Sequence, residues 1–421
     1  MVSDPSSDFH ILIVGAGLGG LGCAIACRRQ GLRVTVVDQF SEPLRLGDSI
    51  GFGPNTSRIF RRWGIYDEMW PISSKATSME MRSYDTGDLL GKDDSLGRGA
   101  THYGCPSLVG HRGDYHMILL NHAKKVGADV RLDTKVVDYD TSKPSALLEN
   151  GEEIVADAII CADGVKSKGR ERVLGYYDKP LHSGYAIYRT FFPGALFRDD
   201  PLTAKYLEQG DCVHVYLAPD MHGIVNVLRG GDEVNLMITH KDVADIDEGW
   251  MQPGNPEDVL KLIEGWNESY RAAWKKAPMC LDWKLVFRPC LEKWVTDSGL
   301  IAIMGDAAHP FLPTSTQGAS QAIEDGITIA YCLKQAGKGN VPLALRTYAG
   351  IRRDYAAKAQ ATGIETRDRY HNVHDRSTGK VRQDFQVSSV SISSEYLWEN
   401  DAEETARREW PIVSEQIKSK G

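Results

Sequence analysis

Apolar residues occur as short unbroken runs near the two ends of the chain and as alternating stretches through its middle, and the two textures predict different sheets. Ile11-Leu12-Ile13-Val14, bounded by glycine, reads as a strand covered on both faces. Leu21 to Gln30 then has the small and apolar spacing of a helix that stops at Gly31, and Val34-Thr35-Val36-Val37 reads as a second strand ending on Asp38. The chain thus opens with a βαβ unit. Ala158 to Ala162, running into Asp163-Gly164, and Leu300 to Met304, running into Gly305-Asp306, share the texture of the first strand, so one parallel sheet is predicted from these distant segments.

Tyr185 to Phe192, Val213 to Leu217 and Glu233 to Ile238 alternate instead, which predicts an antiparallel sheet with one face left to solvent or to a pocket. From Thr316 to about Asp375 the pattern is helical, with Ile323, Ile327, Ile329, Ala330 and Leu333 on one stripe. The serine-rich stretch Gln386 to Ser394 predicts a loop. Beyond it a helix interrupted at Pro411 is expected.

The 421 residues suffice for two or three compact units with a sizeable core. A net charge of −8 argues against nucleic acid as a partner, because neutralising phosphates needs a cationic face. Eight scattered cysteines, several in apolar runs, read as buried thiols of a reducing compartment, and Met1 to Asp8 lacks the basic and apolar pattern of a secretory signal. The longest weakly polar run, Ile11 to Cys27, is too short and glycine-broken for a membrane span, so a cytoplasmic protein is expected.

Gly15-x-Gly17-x-x-Gly20 lies between the first strand and helix, with Asp38 eighteen residues after the last glycine. Glycines there permit a tight turn and let a pyrophosphate approach the backbone at the helix N-terminus, while Asp38 accepts from ribose hydroxyls. The motif itself leaves FAD and NAD open. Together with Asp157-Ala158-Ile159-Ile160-Cys161-Ala162-Asp163-Gly164 and Gly305-Asp306-Ala307-Ala308-His309-Pro310, however, it resembles the single-component FAD monooxygenases, the aromatic hydroxylases that include salicylate and para-hydroxybenzoate hydroxylase, over residues 9 to about 360.

That resemblance implies a Rossmann-like FAD-binding domain of the glutathione-reductase type, an inserted, mainly antiparallel β-sheet substrate domain, and C-terminal helices. The boundaries it suggests are 1–180 for the first part of the FAD-binding domain with a substrate-domain excursion near 76–105, 181–290 for the substrate domain, 291–370 for the second FAD-binding part, and 371–421 for a tail. It implies further that Asp306 serves the FAD ribityl and pyrophosphate region, that Pro313 through Gly318-Ala319 passes beside the isoalloxazine, and that N–H groups after Gln317 hold the N1–O2 edge. Asp163 would serve FAD and the pyridine nucleotide, and Arg112, opening a helix, would reach the FAD diphosphate or ribityl region. No second Gly-x-Gly-x-x-Gly follows a strand, which fits NAD(P)H visiting the flavin as a cosubstrate without a domain of its own.

One loop departs from the family pattern: Asp48-Ser49 stand where small residues are usual. A carboxylate there needs a cation or a substrate N–H as partner. Arg189 matches an arginine on a substrate-domain strand of the fungal salicylate-hydroxylase-like branch, where a guanidinium holds an anionic ring or stabilises and protonates the departing peroxide oxygen. Asp48 with Arg189 also resembles fungal monooxygenases that epoxidise the indole of prenylated alkaloids. Gly47-x-Ser49-x-Gly51 imitates a hydrolase nucleophile elbow, with Asp306 and His309 downstream, but lacks the preceding strand. No His, Cys and carboxylate cluster has metal-ligand spacing.

The expectation is an FAD- and NAD(P)H-dependent monooxygenase of secondary metabolism that passes one oxygen atom of O2, through a flavin C4a-hydroperoxide, to a small aromatic substrate. An indole undergoing 2,3-epoxidation is preferred over a salicylate or phenol. A serine acyl hydrolase built on Ser49 is the distant alternative.

Overall fold

The computed structural model describes residues 8–42, 49–242, 252–390 and 395–420. Its parallel sheet has five strands in the order Ile301–Ile303, Ala158–Cys161, His10–Val14, Arg33–Val37 and Asp129–Arg131. The central strands are apolar and fully enclosed, which is why they lack alternation. The predicted strands from the beginning, middle and end of the chain do pair side by side, Val14 with Cys161 and Cys161 with Ile303.

The first helix runs Leu18–Arg29, starting three residues earlier than its apolar spacing suggested because Gly19 and Gly20 contribute helix but no hydrophobic signal. It crosses the helix Gly318–Ala336 at very short range. A Cβ on Gly22 would stand 2.2 Å from the Ile323 side chain, and one on Gly326 would stand 2.6 Å from the Cys23 backbone. Glycine at both positions is therefore what lets the two backbones approach. This crossing fixes the N-terminus of the later helix beside the glycine-rich turn.

A second sheet has eight strands, ordered Gln252–Gly254, Cys280–Phe287, Leu181–Pro193, Glu233–Lys241, Met221–Leu228, Cys212–Ala218, Met79–Ser83 and Leu89–Asp93. All its pairings are antiparallel except that of Cys212–Ala218 with Met79–Ser83. One face carries Phe192, Val234, Leu236 and Ile238 against Tyr270 and Trp274 of the helix Glu268–Lys275. Alternation puts Ile187, Arg189 and Phe191 on the opposite face, with their ladder partners Trp283, Asn235 and Met237. That second face looks towards the ribbon formed by Ser49–Phe52 and Leu108–His111, where the His111 and Phe191 rings meet edge to face at 4.7 Å.

The predicted long helical region divides into Gly318–Ala336 and Val341–His371. Thr316, read as the helix start, adopts a left-handed turn with φ of 53° instead. The expected break at Pro411 is absent: Ala402–Lys420 is one helix through it. Pro411 is exposed, so the carbonyl it leaves without a partner can turn to water.

Candidate active site

Gly15, Gly17 and Gly20 act differently. Gly15 has φ of +107° and a Cβ there would collide with the Ala162 carbonyl, while a Cβ on Gly20 would lie 1.9 Å from the Gly15 carbonyl oxygen. These two make the turn tight. Gly17 meets nothing within 4 Å and faces open space at the start of the helix, whose first N–H groups lack a side-chain cap. That space is a cradle for a phosphate.

Asp38 closes the turn from below: Ala16 N donates to its Oδ2 at 2.6 Å and Phe40 N to its Oδ1 at 2.9 Å. Both oxygens keep a second lone pair for a ribose hydroxyl. On the other side His116 Nε2 donates to the Ala16 carbonyl at 2.6 Å, and burial holds that imidazole below its usual proton affinity, so it is neutral at pH 7. His116 lies one helical turn after Arg112, the exposed first residue of the helix Arg112–Lys125.

Arg112 and Asp306 interact across this space. Burial raises the Asp306 carboxyl above its ordinary value, and Arg112 and then His309 oppose that. Asp306 is hemmed in by protein yet open to solvent, a combination that belongs to a side chain lining a deep groove. Its carboxylate stands where a ligand can reach it. Asp163 lies at the end of its strand, where Gly169 N donates to Oδ2 at 3.2 Å; Oδ1 is enclosed with no partner among the described residues. Burial raises this carboxyl as well.

At the groove's far end Pro313 is exposed and Gly318 and Ala319 are half-buried. The helix they begin has no side-chain cap, leaving its first N–H groups available. Behind it lies a network that sequence reasoning missed. Arg352 pairs with Glu324 and Asp325, both at 2.8 Å, and Asp325 Oδ2 accepts from His309 Nε2 at 2.6 Å and from Gly305 N at 3.0 Å. All four side chains are buried.

Arg189 is 5 % exposed, and its guanidinium lies over the Trp283 indole, 3.0 Å from the ring centroid. Trp283 was also missed, though Leu281-x-Trp283-x-Leu285 carries the alternating signal of a strand. Asn235 Nδ2 donates to the Thr190 carbonyl at 2.8 Å, and Ser49 Oγ donates to Asn235 Oδ1 at 2.7 Å. Asp48 lies outside the described residues.

The hydrolase alternative fails on this geometry. Ser49 is bound to an amide oxygen, and His309 is committed to Asp325 in the interior. Glu80, Cys212 and His214, too far apart in sequence to show ligand spacing, are brought together by long-range folding. Arg82 and Lys92 already neutralise Glu80, burial pushes the Cys212 thiol up to about 11, and burial with Arg82 pushes His214 down to about 4. The arrangement is an ion-pair network. Among the described residues no helix is long and apolar enough to cross a membrane.

The FAD binding domain family matches residues 8–362. Asperlicin C monooxygenase of Petromyces alliaceus is 33% identical over 378 residues, covering 86% of this chain and 80% of that protein. The FAD-dependent monooxygenase notI' of Aspergillus versicolor is 35% identical, covering 90% and 88%. The crystal structure of CtdE in complex with FAD and a substrate superposes with a TM-score of 0.88 at 26% identity, covering 98% of this chain and 100% of that one. The open cradle at Gly17 and the groove-lining Asp306 fit the cofactor these proteins share, and the chain belongs to the FAD binding domain family as an FAD-dependent monooxygenase.

Proposed function

We propose that this protein oxygenates a small electron-rich aromatic molecule in secondary metabolism, with an indole preferred and NAD(P)H as the source of electrons. The observation that carries the reading is Arg189, a buried cation on the sheet face turned towards the cofactor domain, with Trp283 beneath it. FAD held in the groove would supply the redox chemistry, namely acceptance of a hydride from NAD(P)H and delivery of one atom of O2 to the ring with the other released as water.

The chain's own residues bind, orient and exclude water. The glycine turn and Asp38 receive the adenosine and diphosphate end, Arg112 supplies positive charge to the phosphates, and Asp306 accepts from the ribityl hydroxyls. Asp163, at the carboxyl end of its strand, is assigned to the same cofactor and to the visiting pyridine nucleotide. Pro313 shapes the turn beside the ring, and the N–H groups from Gly318 and Ala319 onward favour negative charge on its edge. Arg189 would provide positive charge to the oxygen atom that is not transferred to the ring, and Asp48 is assigned to a substrate amine. The similarity to a monooxygenase named for asperlicin C, a secondary metabolite, supports this metabolic setting over a catabolic phenol hydroxylase.

The test is a screen of indoles, phenols and benzoates on the FAD-loaded protein, read as perturbation of the flavin spectrum and as stimulation of oxygen-dependent NADH or NADPH oxidation. Stimulation by indoles is expected. Response to salicylates alone would replace the substrate assignment, and no response to any aromatic class would remove it.

A further inference from the structure

The segment from 395 onward lies beyond the residues that the family matches, yet it is tied into the groove's floor. Arg58 donates to the carbonyl oxygens of Tyr103 at 3.0 Å, Trp398 at 2.8 Å, Glu399 at 3.2 Å and Asn400 at 3.0 Å. One guanidinium thus satisfies the open carbonyl end of the helix Glu395–Glu399. That anchor sets Asn400 beside Glu324, a fully enclosed carboxylate in the helix Gly318–Ala336.

Asn400 Nδ2 donates to Glu324 Oε2 at 2.8 Å, while Thr405 Oγ1 donates to Asn400 Oδ1 at 2.8 Å, so both ends of the amide have assigned roles. Glu324 Oε1 accepts from Asn55 Nδ2 at 2.6 Å, and the same nitrogen lies 3.5 Å from Gln317 Oε1. Gln317 is the residue from which that helix starts. Trp398 seals the same place: a Cβ on Gly53 would stand 3.1 Å from its ring and 3.0 Å from the Gln317 side chain.

We infer that Asn400 is a positioning residue for the cofactor, acting through Glu324, Asn55 and Gln317 to set the helix N-terminus that meets the flavin ring. The inference goes beyond the proposed reaction but rests on that placement of the ring. A buried carboxylate needs its full set of donors to stay charged in one position. Arg352 and Asn55 supply part of that set, and the tail supplies the remainder.

Flavin-stripped protein titrated with FAD, read by flavin fluorescence, tests this without turnover. Asn400→Ala is expected to weaken FAD binding about tenfold at both pH 8 and pH 6. Asn400→Asp keeps the acceptor for Thr405 but turns a carboxylate on Glu324, with Asp325, Arg352, Arg58 and Tyr355 as the other ionisable groups nearby. Two facing carboxylates raise each other's proton affinity, so binding should be weak at pH 8 and recover towards the wild-type value at pH 6, when a shared proton restores the donor.

Wild-type affinity in both variants, or an Asn400→Asp defect of equal size at both pH values, overturns the assignment. Should the alanine variant fail to fold, the pH dependence of Asn400→Asp decides alone. Arg112→Ala separates the two levels: if it too leaves FAD binding unchanged, the groove placement is wrong, whereas a defect there with normal Asn400 variants removes the tail's role only.

Discussion

Asp325 and Arg352 meet at 2.8 Å in the interior, each at most 2 % exposed, and their pairing joins the turn that begins at Gly305 to two long helices. Removing one partner leaves an uncompensated buried charge, at a cost of about 3–5 kcal/mol. Asp325→Ala and Arg352→Met should therefore each lower the thermal midpoint sharply, and the double variant should lose less than the sum. An additive double variant in calorimetry would show that the pair acts separately.

The same carboxylate gives a pH signature. Although burial alone would raise it, His309 and Arg352 hold Asp325 below its usual value. A group depressed on folding contributes stability above its unfolded value near 3.8, and that contribution disappears as pH falls through the folded value. Urea unfolding should show Asp325→Asn losing the wild-type stability decline below about pH 4; an unchanged acid limb would exclude Asp325 as its source.

Gly17 and Gly20 should separate binding from folding. Gly20→Ala forces a Cβ to within 1.9 Å of a carbonyl oxygen, so it is expected to reduce expression and thermal stability. Gly17→Val puts its side chain into open space and should leave the unloaded protein folded, with FAD binding reduced about 100-fold or more. Normal flavin content in Gly17→Val would move the phosphate elsewhere.

Arg112 and Asp306 predict a charge-dependent affinity. Arg112→Ala should weaken FAD binding about tenfold and make it less sensitive to salt. Arg112→Lys should recover part of the affinity, since it keeps charge but loses the planar fork. Equal affinity in all three proteins at low salt would count against any contact with the cofactor.

Arg189 and Trp283 concern turnover rather than cofactor affinity. Arg189→Ala should keep FAD but lower substrate-dependent oxygenation about 100-fold, while Trp283→Leu, which removes the ring beneath the guanidinium, should give a smaller loss. Product formed per NAD(P)H consumed is the measurement. Wild-type coupling in Arg189→Ala would remove it from the mechanism.

The parallel sheet was legible because strands covered on both faces must be apolar without interruption, and the glycine turn because its backbone tolerates so few residues. Met221–Leu228 was harder, since polar His222 and Asn226 share a face with apolar Ile224 and Leu228, and Cys280–Phe287 was passed over although Leu281, Trp283 and Leu285 alternate with Asp282 and Lys284. The network of His309, Glu324, Asp325 and Arg352 carried no sequence signal. Acids inside a helical pattern look like a solvent face until a distant arginine is brought against them. Arg189 was found through a family pattern, whereas its stacking partner comes from a strand almost a hundred residues later that only the sheet's pairing places beneath it.

Met79–Ser83 and Leu89–Asp93 enter the eight-stranded sheet long before the rest of it is made, with the strand Ala158–Cys161 of the other sheet intervening in the chain. The polypeptide therefore passes between the two sheets several times, and no single cut yields two self-sufficient pieces. Excising 181–290 would bare Cys212–Ala218 as an unprotected border ready to zip onto neighbouring molecules. Grafting a new specificity onto this scaffold consequently calls for exchanging both segments together.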